Sequence, residues 1–401
     1  MERITVVLHR LVSRGGQRSE GFVRLFISKR LIHGLASAMV GLFVPIFLYE
    51  TSGDAFWVVG LFYAVVSLLY VFFLVPGMKL TNYVGFSRTL AVSMIFAVVH
   101  YVILYFTTMN NLLLYLPALI ISLVGFRLFH WVPYHVDFTQ FTKGGSRGRD
   151  VSLMFATVAF MSMLGPILAG YIIETSSYSV LFGVSIVLMT FAGFSYLFVP
   201  EVIERFTWTY KQTVQNLFSK DFRPILVGDV ANGAETVVNL IAWPIFLFVL
   251  LDGNMLEIGG LSALIVGVTI LIQVFVGRYI DARQGNSIST LKHGSIFYAA
   301  GWIIKIFVVS AAQVFLVGLY HNITRIFIQT PYNSILYDMS GDQGQYVDEF
   351  TVMREMANHI GRIAALLVMI GLTFYVSIVW TFIIGAAASL LLNMVYQVRR
   401  A

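Results

Sequence analysis

Long apolar runs separated by brief polar interruptions fill this chain. Twelve of them stand out, at roughly 31–50, 55–77, 86–107, 111–134, 151–174, 178–199, 223–251, 256–278, 289–309, 311–333, 350–373 and 375–396. Each is close to the roughly 20 residues that a helix needs to cross the hydrocarbon core of a bilayer. The pattern therefore predicts twelve spanning helices, six in each half of the chain. Two weaker patterns have helical rather than all-round apolarity. Ile4, Val7, Leu8 and Leu11 share a face opposite Arg3, Arg10 and Arg14, as in a helix lying on anionic lipid. Between the halves, Ile203, Phe206, Tyr210, Val214 and Leu217 recur every three or four residues, which predicts an interfacial helix within a linker. The expected organisation is a basic tail over 1–30, a bundle over 31–199, a linker over 200–222, a second bundle over 223–396 and a short tail over 397–401.

The two halves are also written alike. Gly34 and Pro45-Ile46-Phe47-Leu48 return as Gly233 and Pro244-Ile245-Phe246-Leu247, at an offset of 199 residues. Gly60-Leu61 returns as Gly260-Leu261, Thr89-Leu90 as Thr290-Leu291, and Arg127 with Pro133-Tyr134 as Arg325 with Pro331-Tyr332. An ordered series of this kind in an apolar chain is a signature of secondary transporters, in which equivalent bundles enclose one site.

Composition and charge sharpen this reading. Apolar residues make up 58% of the chain and charged residues 11%, and the mean hydropathy is +0.82, far from the soluble globular range. Lys and Arg concentrate in alternate connections, among them Lys79 and Arg88, Lys143 to Arg149, Arg205 to Arg223, and Arg278 to Lys292. The segments Glu50 to Ala55, Glu174 to Tyr178 and Asp252 to Glu257 carry none. By the positive-inside rule both termini are expected in the cytoplasm, in a cytoplasmic membrane of bacterial type. The net charge of +6 then describes the inner face and its anionic headgroups and gives no reason to expect nucleic acid. Residues 1–30 lack a continuous apolar core of a cleavable signal, so the first span is expected to target the chain. With no cysteine, disulfides and thiolate metal sites are excluded. Neither a phosphate-binding loop nor a zinc-hydrolase motif occurs, so no cofactor, no metal and no enzymatic activity are expected.

Local motifs add a family resemblance. Gly277-Arg278-Tyr279-Ile280-Asp281-Ala282-Arg283-Gln284-Gly285 is similar to the G-x-x-x-D-R-x-G-R loop of the major facilitator superfamily, with one residue extra. The first-half copy from Gly77 to Arg88 keeps both glycines, Gly77 and Gly85, but puts Thr81 and Asn82 where the acid should be. Gly165-Pro166-Ile167-Leu168-Ala169-Gly170 resembles the G-P-x-x-G-G core of the superfamily's antiporters, and reads equally as a small-residue packing site. The resemblance covers almost the whole chain and implies an all-helical integral membrane protein of two pseudo-symmetric six-helix bundles. It also implies gating roles for Gly77, Gly85, Gly277, Asp281, Arg283, Gly165, Pro166 and Gly170, and a cavity lined by the first, fourth, seventh and tenth helices.

Ionisable groups at bilayer depth cost on the order of 3 kcal/mol or more, so those present are candidates for function. They are His33, His100, Arg127, His130, Asp229, Glu235, Lys305, His321, Arg325, Glu355, His359 and Arg362. Asn232, Glu235, Asn239 and Trp243 make a polar stripe on the seventh stretch, and His321, Asn322, Arg325 and Gln329 repeat it on the tenth. Glu235 is the expected carrier of a coupling proton, or else a structural partner of His33 or Arg325. Arg127 and Arg325 either grip an anionic substrate through paired hydrogen bonds or tie acids and carbonyls at an inner gate. Glu355, His359 and Arg362 form one charged face of the eleventh stretch, where Glu355 and Arg362 are expected to act in gating, and in the outward-open form Lys79 or Arg88 is expected to meet Glu355 or the Asp348-Glu349 pair.

The chain is thus expected to be a monomeric secondary transporter of a small molecule, working by alternating access. Proton-coupled export is the first reading and an organic-anion facilitator or symporter the second. A transport-inactive scaffold or sensor of the same fold is a third.

Overall fold

The structure is a computed structural model that describes residues 24, 26–27, 32–141, 147–201, 205–281, 287–342 and 347–393. The amino-terminal amphipathic segment from Ile4 to Leu11 and Arg283 lie outside the described residues. Every one of the twelve apolar stretches meets a helix. The first is broken: α1 (Gly34–Gly41) and α2 (Phe43–Thr51) meet at an angle of 40° around Leu42. Then follow α3 (Phe56–Val84), α4 (Phe86–Phe106), α5 (Leu112–Phe141), α6 (Arg147–Thr175) and α7 (Tyr178–Tyr196). The second half opens with α9 (Arg223–Val237), a π turn (Val238–Ala242) and α10 (Trp243–Leu250). It continues with α11 (Met255–Asp281), α12 (Ser287–Lys305), α13 (Ala311–Asp342), α14 (Val347–Thr373) and, after a 3₁₀ turn at Ile378–Thr381, α15 (Phe382–Leu391). Among the described residues nine helices are long and apolar enough to cross a membrane by length and composition, or ten with the bent pair counted as one span. Their outward faces carry large apolar side chains such as Leu68, Phe72, Leu113, Leu114, Leu271 and Leu316, as lipid contact requires.

The duplication in sequence has a backbone echo. The first helix of each half breaks just before its Pro-Ile-Phe-Leu run, by the bend at Leu42 in one case and the π turn in the other. Each of those helices then ends in a turn that uses a Gly and an Asp at positive φ. These are Gly53 (72°) with Asp54 (62°), and Asp252 (49°) with Gly253 (76°). Glycine takes that conformation freely and aspartate is among the few other residues that tolerate it.

Between the halves, α3 packs on α14, α6 on α11, and α2 on α10. The α6–α11 contact is made by small residues. A Cβ at Gly259 would strike the Pro166 carbonyl oxygen, and one at Gly170 would strike that of Met255. Gly165 approaches α1 at Ala38 in the same manner. The Gly165 to Gly170 motif is therefore a packing surface facing α1 and the other half.

The linker holds α8 (Tyr210–Leu217), begun by a capping box in which the Thr209 side chain accepts from the Gln212 N–H and the Gln212 side chain accepts from the Thr209 N–H. Ahead of it residues 205–208 lie outside any helix and are stitched to both halves. The Asn82 side chain donates to the Phe206 carbonyl oxygen (2.8 Å) and accepts from its N–H (3.0 Å). The Thr207 N–H and hydroxyl both donate to the Glu349 carboxylate, at 2.9 and 2.7 Å.

Candidate functional site

A cavity of about 220 Å³ lies between the halves. Its apolar wall comes from Val40, Val44, Leu123, Phe126, Val237 and Ile241, and its polar groups from Ser37, Tyr63, Ser67, His100, Tyr101, Arg127 and Arg362. The bend after Gly41 and the π turn at Val238–Ala242 both border it, so the two helix breaks of the duplicated unit fall at the same chamber. Arg127 reaches it from α5 in one half and Arg362 from α14 in the other. Arg127 is also within electrostatic reach of Tyr63, Tyr70 and Glu355. The second guanidinium at the chamber is thus Arg362, expected from sequence to act in gating, rather than the repeat partner Arg325.

Glu355 lies two helical turns from Arg362 on α14. It accepts a hydrogen bond from the Tyr70 hydroxyl of α3 at 3.3 Å, and the His359 Nε2 is 4.0 Å from the same oxygen. The Tyr70 and His359 rings pack with centroids 4.2 Å apart. The Arg362 Nε and His359 Nδ1 are buried without a hydrogen-bond partner among the described residues, and such groups ordinarily find one.

Glu235 belongs to a second cluster inside the carboxy-terminal half. It is 1% exposed and accepts from the Tyr298 hydroxyl, whose ring stacks on His321 at 4.2 Å. Lys305 has its Nζ 4.0 Å from the ring centroids of both Trp243 and Trp302, and interacts electrostatically with Glu235 and Arg325. Two indole faces stabilise a dehydrated ammonium through the ring quadrupole. Asn232 is turned toward α14, where its side chain donates to Asn358 at 2.8 Å. Asn239, Asn322, Arg325 and Gln329 are half-buried.

His33 and His130 form a third group, in the amino-terminal half. Their rings lie 4.6 Å apart, Ser37 meets the His33 Nε2 at 3.3 Å and Ser93 the His130 Nδ1 at 3.2 Å. Asp229 is fully buried in a two-pronged ion pair with Arg354, at 3.0 and 3.2 Å, and also accepts from the Tyr332 hydroxyl. Arg88 pairs with Glu201 at 3.9 Å, Glu349 is occupied by Thr207 and Glu355 by Tyr70, while Lys79 is exposed. Gly85 has φ of +97°, and Glu201 sits against it, accepting from the Ser87 N–H at 3.1 Å. Gly77 packs on Leu128. Gly277 and Asp281 fall in the last turns of α11.

Sequence reasoning missed Tyr63, Tyr101 and Ser67 as cavity groups, Tyr70 as the partner of Glu355 and Arg354 as the partner of Asp229. A lone buried aspartate needs a cation, and that requirement is the signal that could have found Arg354.

A chamber between two halves built alike is what the resemblance to one family implies. Its profile, the Major Facilitator Superfamily, aligns with residues 29–354. The chain belongs to the major facilitator superfamily. It is 23% identical over 346 residues to the uncharacterized protein YqgE of Bacillus subtilis (strain 168), covering 84% of this chain and 79% of that one. Among solved structures it is similar to the peptide transporter POT in complex with sulfate, with a TM-score of 0.68, 12% identity and coverage of 100% of this chain and 98% of that one. A POT variant in complex with alafosfalin gives a TM-score of 0.66 at the same identity and coverage. The chain is a multi-pass membrane protein of a transporter superfamily, and this membership supports secondary transport in general. No finer assignment follows from fold alone.

Proposed function

We propose that this superfamily member carries a small organic anion across the cytoplasmic membrane by alternating access, with both termini in the cytoplasm. The observation that supports it is the pair Arg127 and Arg362 in the cavity wall, one from each half. Each guanidinium stays charged and offers a fork of donors that fits a carboxylate or phosphate. The apolar lining suits the hydrocarbon part of such a solute. An anion bound to both arginines bridges the halves, and that bridge supplies the differential affinity that a conformational change requires.

Purified protein in detergent should gain several degrees of melting temperature with benzoate and inorganic phosphate, and nothing with benzylamine. R127Q and R362Q should each lose that gain. Stabilisation by benzylamine alone, or by none of the three, overturns the reading.

Proton-coupled export is a second reading, favoured by Glu235, a buried carboxylate held by Tyr298 near Lys305. On that reading E235Q abolishes accumulation driven by a pH gradient.

A further inference from the structure

The wall of the chamber differs between its two sides. The amino-terminal half contributes rings: Tyr63 from α3, His100 and Tyr101 from α4, and Phe126 from α5. The carboxy-terminal half contributes the aliphatic Val237, Leu240 and Ile241, and with them Arg362. The rings are held by residues outside the wall. Phe126 stacks on His130 with centroids 5.0 Å apart and meets His33 at 5.8 Å. Tyr101 stacks on Phe182 of α7 at 6.4 Å. His100 stands edge-on to Tyr101 at 5.6 Å, and its Nδ1 meets the Ser122 hydroxyl at 3.0 Å. Such separations are those of favourable ring pairs, so the aromatic side is fixed before any solute enters.

The cations of the wall are free where another in the bundle is committed. Arg354 is held by Asp229 at 3.0 and 3.2 Å. Arg127 and Arg362 make no hydrogen bond and no close ion pair among the described residues, and they repel each other. Glu355 acts on both through space, yet it is not part of the wall and accepts its hydrogen bond from Tyr70. Near neutrality an ordinary imidazole is uncharged, so His100 and His359 do not alter the sum. Two guanidiniums against one carboxylate leave one positive charge over, in a place where an unmatched charge is costly.

We propose that the solute of this chamber is an aromatic monoanion, a flat ring carrying a single carboxylate. This rests on the anion reading above and narrows it. The carboxylate accepts from Arg127 and Arg362 and cancels the surplus charge, whereas a dianion overshoots and leaves one negative charge in excess. The ring lies against Phe126 and Tyr101, which give a planar π system offset or edge-on contacts that a puckered saturated ring does not have. Arg127 follows Phe126 directly on α5, so a single turn of helix presents a partner for the charge and a partner for the ring.

Isothermal titration calorimetry on the full-length protein in detergent, near neutral pH, tests both parts. Benzoate should bind about tenfold more tightly than cyclohexanecarboxylate, which has the same charge, a similar size and a more apolar surface. Terephthalate should bind about tenfold more weakly than 4-carbamoylbenzoate, which has its shape and one charge fewer. In Y101L and in F126L the preference for benzoate should shrink while cyclohexanecarboxylate still binds; ligand-free melting temperatures report folding, and the comparisons on wild type stand without the variants. Inorganic phosphate serves as an anion without a ring. Four outcomes each overturn this inference while sparing the anion reading: equal affinity for benzoate and cyclohexanecarboxylate, a preference unchanged in both folded variants, terephthalate binding as tightly as its monoamide, or binding of phosphate alone. Binding of none of these anions overturns the anion reading itself.

Discussion

Asp229 has no exposed surface and both its carboxylate oxygens are engaged, by Arg354 and by the Tyr332 hydroxyl. Removing one member of such a pair strands the other as an uncompensated buried charge, at a cost of about 3–5 kcal/mol, whereas removing both is far milder. D229N and R354M are therefore each expected to lower the melting temperature markedly, and the double variant to recover most of the loss; additive losses would contradict this. At this scale the sequence was informative about which residues are costly and much less about whom they meet. Depth in an apolar run singled out Arg127, Glu235, Glu355 and Arg362. The pairing of Arg362, rather than Arg325, with Arg127 depends on how α14 crosses α5, which no one-dimensional spacing contains. Tyr63 and Tyr101 carry no signal at all, since a tyrosine in an apolar helix is as good a packing residue as a ligand.

Helices α9 and α14 touch backbone to backbone. A Cβ at Gly233 would meet the Asn358 carbonyl oxygen and a Cβ at Gly361 that of Val230, so each glycine admits the other helix. G233A and G361A should each push these helices apart, lower thermal stability by several degrees and disturb the Asn232–Asn358 hydrogen bond. G260A and G371A, at positions with nothing within 4 Å of the new carbon, should be silent or slightly stabilising because alanine favours helix. Differential scanning fluorimetry on the four variants checks both halves of the expectation. Helix existence was readable from run length, because a bilayer-deep segment must satisfy its own backbone. Helix breaks were not: Val238–Ala242 has the composition of its neighbours, and its π turn shows only once α10 has to be placed. The apolar runs also underestimated length. The second, read as 55–77, continues to Val84 as α3, and the tenth, read as 311–333, continues to Asp342 as α13. Polar residues past the hydrocarbon core extend a helix without lengthening its apolar signal.

At the scale of the molecule, the halves meet through α3 with α14, α6 with α11 and α2 with α10, and through the linker segment at Phe206 and Thr207. The family and the two-bundle plan were legible from the repeat and the motif at Gly277. The linker's grip on Asn82 and Glu349 was not, because Phe206 reads as part of an amphipathic helix and in fact lies outside any helix, buried. Since the chain contains no cysteine, T207C with E349C can be joined by a short bismaleimide without background reaction. Uptake into liposomes should stop on cross-linking if the two must part during turnover, and unchanged uptake would refute that requirement. Geometry gives a reason to expect separation to be abrupt. Neighbouring residues grip opposite halves, and one residue of chain can span at most about 3.5 Å. Any wider gap at that end has to wait until Asn82 or Glu349 lets go entirely, so the tether acts as a latch with two settings and no graded range between them.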